Sequence, residues 1–369
     1  MTIGIVGAGQ LGRMMALAGY PLGLDFLFLD KDASTPGGQV APILAGAFDD
    51  RQLLGELARR CAVITFDWEN VGVEALEALP ADGARISPPL RALAAAQDRL
   101  TEKRSFELLG IPTTRYAAVD SRESLELAVK SIGLPGVLKT RRLGYDGKGQ
   151  FVLRQPADLD RAWETLGGSP LLYENLVPFD AEVSVIAVRG LDGAVGFYPL
   201  NLNVHREGIL RLTRAPHGNA ALARQAQRAA RKLLEHFKYV GVLTIEFFVK
   251  RGKLIANEMA PRVHNSGHWT IEGAETSQFE NHVRAIAGLP LGSTAARGHS
   301  AMINLVGQMP TRAPLLAQPG VHWHDYGKSP RPGRKLGHLT ICEKSATSRD
   351  RKALKVLSGV DRATWLAVR

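Results

Sequence analysis

One strand-turn-strand pattern between residues 242 and 259 constrains the fold of this chain more than any other feature. Residues 242 to 249 alternate between apolar and polar side chains, with Glu246 on the polar face, and this period of two predicts a half-buried strand. Residues 254 to 259 are predicted to form its antiparallel partner. The short polar connection contains Gly252, which suits a tight hairpin turn because glycine accepts a positive φ.

The register of this hairpin decides which oxygen-bearing side chains face each other. A three-residue loop over 251 to 253 places Glu246 opposite Glu258 with Cβ atoms about 5 Å apart, whereas a two-residue loop places Asn257 there instead. Two facing carboxylates repel each other unless a cation or a shared proton lies between them. Hard oxygen ligands of this kind suit Mg²⁺ carried by substrate phosphates. The alternative is a solvated polar face on a surface hairpin.

The residues that follow the hairpin favour a functional site. Residues 260 to 268 have the sequence APRVHNSGH, so a guanidinium group, two imidazoles, an amide and a hydroxyl group fall within one irregular segment. Such a segment is typical of a site that carries chemistry and not of a hydrophobic core. The segment is therefore a candidate functional site.

Length and composition predict a globular protein of two or three domains. The chain has 369 residues, of which 45% are hydrophobic, and this is enough to bury a sizeable core. Only Cys61 and Cys342 are present, which excludes a disulfide framework and a cysteine-based zinc site and suits a reducing cytoplasm. The first residues lack a basic export signal and no apolar run reaches membrane-spanning length. We therefore expect a cytoplasmic protein that does not act at a membrane.

The net charge of +10 points to an anionic partner, either nucleic acid or a small ligand. The basic residues are dispersed along the chain and form no single block. Their densest segment, residues 219 to 237, also carries apolar positions for packing, which predicts a helix with a solvated basic face. We therefore expect small-molecule substrates and no nucleic acid.

The N-terminal residues match the pattern G-x-G-x-x-G. A short apolar strand over 2 to 6 precedes Gly7 to Gly12 and a helical run follows, an arrangement that brings backbone amides to a phosphate. The second strand ends at Asp30, where a dinucleotide-binding fold keeps its ribose-binding acid. An NAD-dependent oxidoreductase is therefore one alternative, although no later pair of residues indicates a site for hydride transfer.

Three further features follow in the N-terminal third of the chain. Residues 62 to 66 predict a strand that ends at Asp67, whose carboxylate lies either at the ligand-binding edge of the sheet or on the cap of the next helix. Residues 80 to 89 predict a domain boundary. One helix is predicted over 91 to 109. Its polar side is expected to carry Asp98, Arg99, Glu102, Lys103 and Arg104.

A second glycine-rich segment, residues 139 to 150, joins two predicted strands, with Lys139 at the end of the first. Gly144, Gly147 and Gly149 and the neighbouring cations predict a mobile loop that lays amide groups and positive charge on phosphates. It is not a Walker A loop, because no Gly-Lys-Ser/Thr ends it and no helix follows. A glycine hairpin without a ligand is the alternative.

The remaining candidates lie further along the chain. Residues 171 to 173 predict a strand that leads into Glu174 to Val177, and the change of composition after Pro178 predicts a hinge between two lobes. Glu182 begins the next strand, either as an exposed edge charge or as a ligand of ribose hydroxyl groups. Residues 330 to 335 hold three cations on a stiff turn, which suits a phosphate anchor or a solvated basic turn about equally.

Together these segments resemble the ATP-grasp superfamily over most of the chain. The resemblance is carried, in this order, by Lys139, the loop from Gly144 to Gln150, Glu174 to Val177, Glu182, Glu246, Asn257 and Glu258. Within the superfamily, the segments GQLGRM, GYDGKGQ, NEMAPRVHNSGHWT and RPGRKLGHL are similar to those of the 5-(carboxyamino)imidazole ribonucleotide synthases, enzymes of de novo purine biosynthesis.

The resemblance implies an ATP-grasp fold of the α/β class with α+β lobes. The implied domains are a Rossmann-like preATP-grasp domain over 1–98, a small ATP-binding lobe over 99–178, and a large lobe over 179–369 that holds the metal site and a substrate-phosphate segment. A homodimer is also implied.

The same resemblance implies a set of site residues. The implied ATP-binding residues are Arg99, Lys139, Tyr145, Asp146, Gly147, Lys148, Gly149, Gln150, Glu174, Asn175, Leu176, Val177, Glu182, His205, Asn257 and Glu258. The implied Mg²⁺ ligands are Glu246 and Glu258. The implied catalytic residues are Arg262, His264 and Asn265, which receive bicarbonate, with Asp146 and Lys148 in the loop. The implied binding residues for the acceptor ribonucleotide are Gly9, Gln10, Leu11, Glu69, Lys328, Arg334 and Lys335.

The implied reaction is the carboxylation of 5-aminoimidazole ribonucleotide by bicarbonate and ATP, through carboxyphosphate, with release of ADP and phosphate. Because ATP and bicarbonate are both anions, Mg²⁺ and cations such as Lys139 and Arg262 must offset their repulsion. A closed glycine loop would protect carboxyphosphate from water. Alternatives with the same fold are a formate-dependent glycinamide ribonucleotide transformylase and a biotin carboxylase.

Overall fold

The computed structural model describes residues 1–80, 83–144 and 147–368. Its strands form three sheets that follow one another along the chain, in the mixed α/β class that the sequence predicts. Each sheet lies within one of the three predicted domain ranges, whose boundaries stay a prediction. Across the described residues, none of the helices combines the length and apolar character needed to cross a bilayer.

The N-terminal sheet is parallel and has five strands in the order β3-β2-β1-β4-β5. The strands are β1 (Thr2–Val6), β2 (Asp25–Asp30), β3 (Ile43–Ala45), β4 (Val63–Phe66) and β5 (Arg85–Ile86). The helices are α1 (Gln10–Gly19), α2 (Arg51–Arg60) and α3 (Val73–Glu77). Every position of β4 is buried, as expected for a parallel strand covered on both faces. The alternative that Asp67 caps the next helix is wrong, because Gly72 is the N-cap residue of α3.

The single helix predicted over 91 to 109 is in fact two helices. They are α4 (Leu90–Gln97) and α5 (Arg99–Leu108). Asp98 separates them with an extended backbone and caps α5, since its carboxylate accepts a hydrogen bond from the amide of Leu100 at 2.9 Å. The predicted polar side is also wrong in part, because Glu102 and Lys103 are buried.

The second sheet is antiparallel and has four strands in the order β6-β9-β7-β8. Its strands are β6 (Tyr116–Val119), β7 (Gly136–Thr140), β8 (Gln150–Leu153) and β9 (Leu171–Asn175). The helices are α6 (Arg122–Ile132) and α7 (Asp158–Leu166). Ser121 and Ser124 form a capping box at the start of α6.

The third sheet has nine strands in the order β15-β14-β10-β12-β13-β16-β18-β17, and β11 pairs with β10. The strands are β10 (Ala181–Arg189), β11 (Val195–Phe197), β12 (Asn201–Arg206), β13 (Ile209–Ala215), β14 (Gly241–Lys250), β15 (Lys253–Ala260), β16 (His299–Val306), β17 (Val321–Asp325) and β18 (Lys335–Glu343). The helices are α8 (Ala220–His236), α9 (Thr270–Gly273), α10 (Gln278–Ala287), α11 (Ala313–Leu316), α12 (Ala346–Val360) and α13 (Arg362–Val368). The solvated basic face predicted for α8 is confirmed, since Arg224 and Arg228 are exposed whereas Leu222 and Leu233 are buried.

The predicted hairpin is β14 and β15, and β15 forms one edge of the large sheet. The segment before β6 covers this edge. The amide of Ala256 donates to the carbonyl oxygen of Pro112 at 2.7 Å, and the hydroxyl group of Thr113 donates to the carbonyl oxygen of Ala256 at 2.8 Å. The strand is therefore held between the large sheet and the smaller lobe, which protects an otherwise open edge.

Candidate active site

The β14–β15 hairpin combines a two-residue turn with a β-bulge. Arg251 and Gly252 form the turn with φ values of 50° and 72°, as a type I′ turn requires. This turn alone would set Asn257 against Glu246. However, the register shifts by one residue between Phe247 and Glu246. The shift pairs Glu246 directly with Glu258. The shorter of the two predicted loops is thus correct, yet the two carboxylates face each other.

Three side chains that carry oxygen atoms, those of Glu246, Asn257 and Glu258, meet at this bulge. Oε1 of Glu246 and Oδ1 of Asn257 are buried and have no hydrogen-bond partner among the described residues, which leaves both oxygens available to a cation. Oε2 of Glu258 accepts a hydrogen bond from Nη1 of Arg99 at 3.3 Å. Burial by itself would raise the pKa of Glu258, but the charges of Arg99 and Lys139 outweigh it and lower the pKa. The arrangement fits a hard divalent cation.

A polar pocket lies beside these ligands. Glu182, Asn203, His205, Glu246 and Asn257 contribute to its lining. Nδ1 of His205 lies 3.0 Å from Oε2 of Glu182. Burial opposes protonation of His205, yet the hydrogen bond to Glu182 and the charge of Glu246 raise its pKa to about 9. The structure therefore brings together the two residues predicted to line the ribose pocket, with the imidazole protonated at neutral pH.

Glu174 is the centre of a buried ion-pair network. One carboxylate oxygen lies 3.1 Å from Nζ of Lys139, and the other lies 3.2 Å from Nζ of Lys103 and accepts a hydrogen bond from Thr114 at 2.6 Å. Burial by itself raises the pKa of Glu174, but the two ammonium groups lower it well below its ordinary value. Each oxygen of the carboxylate is paired with an ammonium group of the protein, so a ligand at the predicted hinge would meet the segment mainly through its backbone.

The rest of the predicted hinge is hydrogen-bonded to the residues that immediately precede β6 and β7. Oδ1 of Asn175 accepts from the amide of Arg115 at 2.8 Å, and the amide of Leu176 donates to the carbonyl oxygen of Pro135 at 3.0 Å. The side chain of Val177 is buried. These contacts fix the path of the chain between the two lobes.

The predicted phosphate loop spans residues 144 to 150, of which Tyr145 and Asp146 lie outside the described residues. A methyl group at Gly144 would lie 3.3 Å from Nη2 of Arg99. A methyl group at Gly147 would lie 3.2 Å from the carbonyl oxygen of Glu207, in the turn between β12 and β13. The loop containing Lys148, Gly149 and Gln150 thus reaches from the small lobe to the large sheet.

The segment after β15 links the large sheet to the N-terminal domain. Nε of Arg262 donates a hydrogen bond to Oε2 of Glu69, and Nη1 donates to the carbonyl oxygen of Val263 at 3.0 Å. Burial by itself would lower the pKa of Arg262, and the charge of Glu69 raises it. Arg262, which is predicted to bind bicarbonate, is therefore in direct contact with Glu69, which is predicted to bind the acceptor.

His264 and Asn265 are held by fixed hydrogen bonds. Nδ1 of His264 lies 2.9 Å from the hydroxyl oxygen of Ser266, and burial together with the charge of Arg262 keeps the pKa of His264 well below its ordinary value. The amide of Asn265 donates to Oδ1 of Asn304 and to Nδ1 of His268, each at 3.0 Å. His264 is thus a neutral imidazole, and both amide hydrogens of Asn265 have protein acceptors.

The N-terminal glycine loop encloses a buried carboxylate of the protein itself. Gly7 has a φ of +96°, and a methyl group there would lie 1.8 Å from Oδ1 of Asp67. The amide of Gly12 donates to Oδ2 of Asp67 at 3.2 Å, and the amide of Ala8 donates to Oδ2 of Asp30 at 2.6 Å. Gly7 is therefore required by the packing of Asp67, and Asp30 is hydrogen-bonded to the loop backbone.

The acceptor residues predicted at the two ends of the chain meet in space. Nζ of Lys328 donates a hydrogen bond to Oε1 of Gln10, next to Gly9 and Leu11 on the loop. Burial lowers the pKa of Lys328 to about 8. Nη1 of Arg334 donates to the carbonyl oxygen of Ser329 at 3.1 Å, and the charge of Lys335 acts on both Lys328 and Glu246. A cationic patch thus lies between the glycine loop and the metal-ligand candidates.

Sequence reasoning missed Glu102 and Lys103. Oε1 of Glu102 accepts from the amide of Met259 at 2.6 Å, and Nζ of Lys103 donates to the carbonyl oxygen of Asn257 at 2.9 Å. The available signal was their spacing from Arg99, because residues three and four positions apart share one helix face.

Family profiles match three successive parts of the chain. Residues 1–97 match the ribonucleotide synthetase preATP-grasp domain, residues 104–279 match the ATP-grasp domain, and residues 300–352 match the phosphoribosylaminoimidazole carboxylase C-terminal domain. Together with the three sheets and the facing carboxylates, these matches define the class: the chain is an ATP-grasp enzyme.

Individual relatives match over almost the whole length. The N5-carboxyaminoimidazole ribonucleotide synthase of Pseudomonas aeruginosa is 49% identical over 354 residues, which cover 96% of this chain and 98% of that protein. This chain belongs to the N5-carboxyaminoimidazole ribonucleotide synthase family, the family that its motifs resemble.

Two solved structures of synthases from this family are similar to this chain in fold and in sequence. The N5-carboxyaminoimidazole ribonucleotide synthetase from Thermus thermophilus is 50% identical with a TM-score of 0.93, covering 97% of this chain and 98% of its own. The N5-carboxyaminoimidazole synthase from Aspergillus clavatus, solved with ADP and 5-aminoimidazole ribonucleotide, is 31% identical with a TM-score of 0.91 and covers 98% of both chains.

Proposed function

We propose that this chain carboxylates 5-aminoimidazole ribonucleotide with bicarbonate and ATP, giving 5-(carboxyamino)imidazole ribonucleotide, ADP and phosphate in de novo purine biosynthesis. The observation that carries the proposal is the pairing of Glu246 with Glu258 beside Asn257, where two buried oxygens lack a hydrogen-bond partner within the described ranges 1–80, 83–144 and 147–368. The identity of the acceptor is inferred from the family to which the chain belongs. The cations around Glu246 and Glu258 would offset the negative charge of ATP and bicarbonate.

Glu246 and Glu258 are the proposed ligands of Mg²⁺, with Asn257 beside them. When bound, Mg²⁺ neutralises phosphate charge and so favours transfer of the γ-phosphoryl group. The carboxylates are suited to this role because Arg99 donates a hydrogen bond to one oxygen of Glu258, while Oε1 of Glu246 has no donor in the part of the chain that the structure describes.

The proposed ATP site lies between the two lobes. Arg99 and Lys139 contact the phosphates, and the loop that contains Lys148 covers them. Glu182 and the protonated His205 bind the ribose side of the nucleotide, and the backbone from Glu174 to Val177 faces the adenine. The proposed ATP ligands in full are Arg99, Lys139, residues 145 to 150, Glu174 to Val177, Glu182, His205, Asn257 and Glu258.

Bicarbonate is proposed to bind at the segment after β15. Arg262 offsets the charge of bicarbonate and of carboxyphosphate, and the neutral His264 can accept or donate a hydrogen bond without adding charge. Asn265 orients the segment through its bonds to Asn304 and His268. Carboxyphosphate reacts with water. Closure of the loop that contains Lys148 over the site would protect it.

The acceptor ribonucleotide is proposed to bind between the glycine loop and the C-terminal segment. Glu69 approaches the exocyclic amine, whose nitrogen attacks the carboxyl carbon supplied by carboxyphosphate. The bond between that carbon and the phosphate oxygen breaks, phosphate leaves, and the nitrogen loses a proton to give the carbamate. Lys328, Arg334 and Lys335 bind the acceptor phosphate. Gly9, Gln10 and Leu11 complete this site. We also propose that the enzyme acts in the cytoplasm as a homodimer.

An ADP-release assay with a panel of acceptors tests this function. We expect release to rise when bicarbonate and 5-aminoimidazole ribonucleotide are both present, with labelled bicarbonate appearing in the acceptor. Formate with glycinamide ribonucleotide, or biotin, should give no such rise. Stimulation by either of those, or none by 5-aminoimidazole ribonucleotide, would overturn the proposal. Reduction of NAD by a hydroxylated substrate would favour an oxidoreductase instead.

A further inference from the structure

Three side chains on one face of α5 contact four consecutive residues of β15. Arg99, Glu102 and Lys103 have the spacing that places side chains on a single helix face. Arg99 donates to the side chain of Glu258, and Glu102 accepts from the amide of Met259 at 2.6 Å. Nζ of Lys103 donates to the carbonyl oxygen of Asn257 at 2.9 Å and lies 3.4 Å from that of Ala256. This face of α5 therefore holds the strand at the bulge.

The bulge needs such support because it interrupts the strand pairing. Phe247 pairs with Ala256 and Glu246 pairs with Glu258, so Asn257 has no partner in β14. A bulge residue leaves backbone groups outside the ladder, and a buried carbonyl without a partner is costly. Lys103 supplies the missing donor to Asn257. Without that contact, a ladder continued from the two-residue turn would set Asn257 opposite Glu246.

Lys103 also connects the bulge to the nucleotide-binding lobe. Its ammonium group lies 3.2 Å from one oxygen of Glu174, and the other oxygen lies 3.1 Å from Nζ of Lys139. The side chain of Lys103 is 1% exposed, so these contacts are made away from water. One ammonium group therefore joins the strand of the candidate metal ligands to the proposed adenine hinge.

We propose that Lys103 is a positioning residue for the metal site, which holds the Asn257 bulge so that Glu258 stays opposite Glu246. This inference rests on the proposed function, because it takes Glu246 and Glu258 as the Mg²⁺ ligands. Lys103 itself binds neither metal nor substrate. Side chains that orient metal ligands from behind typically change metal affinity by about 10- to 100-fold when they are removed.

Titration with Mn²⁺ at saturating ADP, followed by the electron paramagnetic resonance signal of free Mn²⁺, tests this proposal without turnover. We expect Lys103→Met to weaken Mn²⁺ binding by about tenfold or more. Affinity for ADP without metal, measured by calorimetry, should change less. Arg104→Met is the matched control, because it removes one cation from the adjacent, exposed position of the same helix and should leave Mn²⁺ binding unchanged.

A second pair of variants covers the case in which Lys103→Met leaves Glu174 as an unpaired buried charge and fails to fold. Lys103→Met with Glu174→Gln removes that charge and is compared with Glu174→Gln alone. Weaker Mn²⁺ binding in the double variant supports the proposal. Equal binding in this pair, or wild-type binding by a folded Lys103→Met protein, overturns it.

The same titration separates this inference from the proposed function. Glu258→Gln should weaken Mn²⁺ binding more than Lys103→Met does. If neither Glu246→Gln nor Glu258→Gln changes Mn²⁺ binding, the metal assignment itself fails. If both carboxylate variants lose Mn²⁺ while Lys103→Met keeps it, only the positioning role of Lys103 fails.

Discussion

The N-terminal glycine loop and the β14–β15 hairpin differ in how their polar groups are satisfied, although both suggested ligand sites. In the loop, the amides of Gly12 and Ala8 donate to Asp67 and Asp30, so the motif serves carboxylates of the protein itself. In the hairpin, buried oxygens of Glu246 and Asn257 have no hydrogen-bond partner among the residues that the structure describes. A glycine pattern shows where the backbone can turn, whereas an unsatisfied buried oxygen shows where a ligand is needed.

The largest expected effect comes from the hairpin. Glu258→Gln should lower ADP release stimulated by bicarbonate and acceptor by about 10³-fold, because it removes a metal-binding charge at the site of phosphoryl transfer. Release is measured with all substrates saturating, and folding is followed by thermal unfolding. Glu235→Gln, on the exposed face of α8, is the control. Near-normal turnover by a folded Glu258→Gln protein would count against the site.

In the glycine loop, by contrast, the largest effect should be on stability. Gly7→Ala places a methyl group 1.8 Å from Oδ1 of Asp67 at a φ of +96°, and we expect unfolding to become easier by about 3 kcal/mol. Gly23→Ala is the matched control, since Gly23 has a φ of +72° with open space around it. It should cost about 1 kcal/mol. Equal losses in denaturant titrations would show that the packing of Asp67 does not matter.

Asp67 should also give the loop a pH-dependent stability. Burial raises its pKa from 3.8 to about 6, so the folded state holds this proton more tightly than the unfolded state. The stabilisation is complete below about pH 4 and is lost as the pH rises through 6. Relative to wild type, Asp67→Asn should remove about 3 kcal/mol of the fall in unfolding free energy over this window. Parallel curves for the two proteins would contradict this prediction.

The smallest expected effect concerns His205 at the hairpin. Its pKa of about 9 keeps it charged at neutral pH, where it offsets the carboxylates that face the nucleotide. Affinity for metal-free ADP should therefore fall by about fivefold as the pH rises from 8 to 10. Calorimetry at a series of pH values measures this change. His205→Gln should bind more weakly and without the step, and an unchanged step in that variant would assign it to another group.

The sequence predicted several elements of the fold, because the alternation of apolar and polar residues acts locally. The strands of the hairpin and the basic face of α8 both depend on neighbours within a few positions. The break at Asp98 was not predicted, since the helical pattern continues through it. Asp98 also binds Arg141 at 2.5 Å, a contact between residues far apart in the chain.

The sequence predicted that Glu246 faces either Glu258 or Asn257, but it did not predict the bulge that decides between them. The bulge shifts the register by one residue. Neighbouring residues in the sequence do not indicate it, because the hydrogen bond to its carbonyl oxygen comes from Lys103 on another element. The engagement of Glu174 by two lysines depends in the same way on long-range packing. Local patterns identify candidate ligands, whereas tertiary contacts decide which of them remain available to bind.

A crystal structure of the protein grown with ADP and Mn²⁺ tests the central claim most directly, because the anomalous signal locates the metal. We predict a peak between the carboxylates of Glu246 and Glu258, with the nucleotide beneath the loop at Lys148. A bound nucleotide whose metal lies elsewhere, such as at the loop from Gly7 to Gly12, would contradict the account.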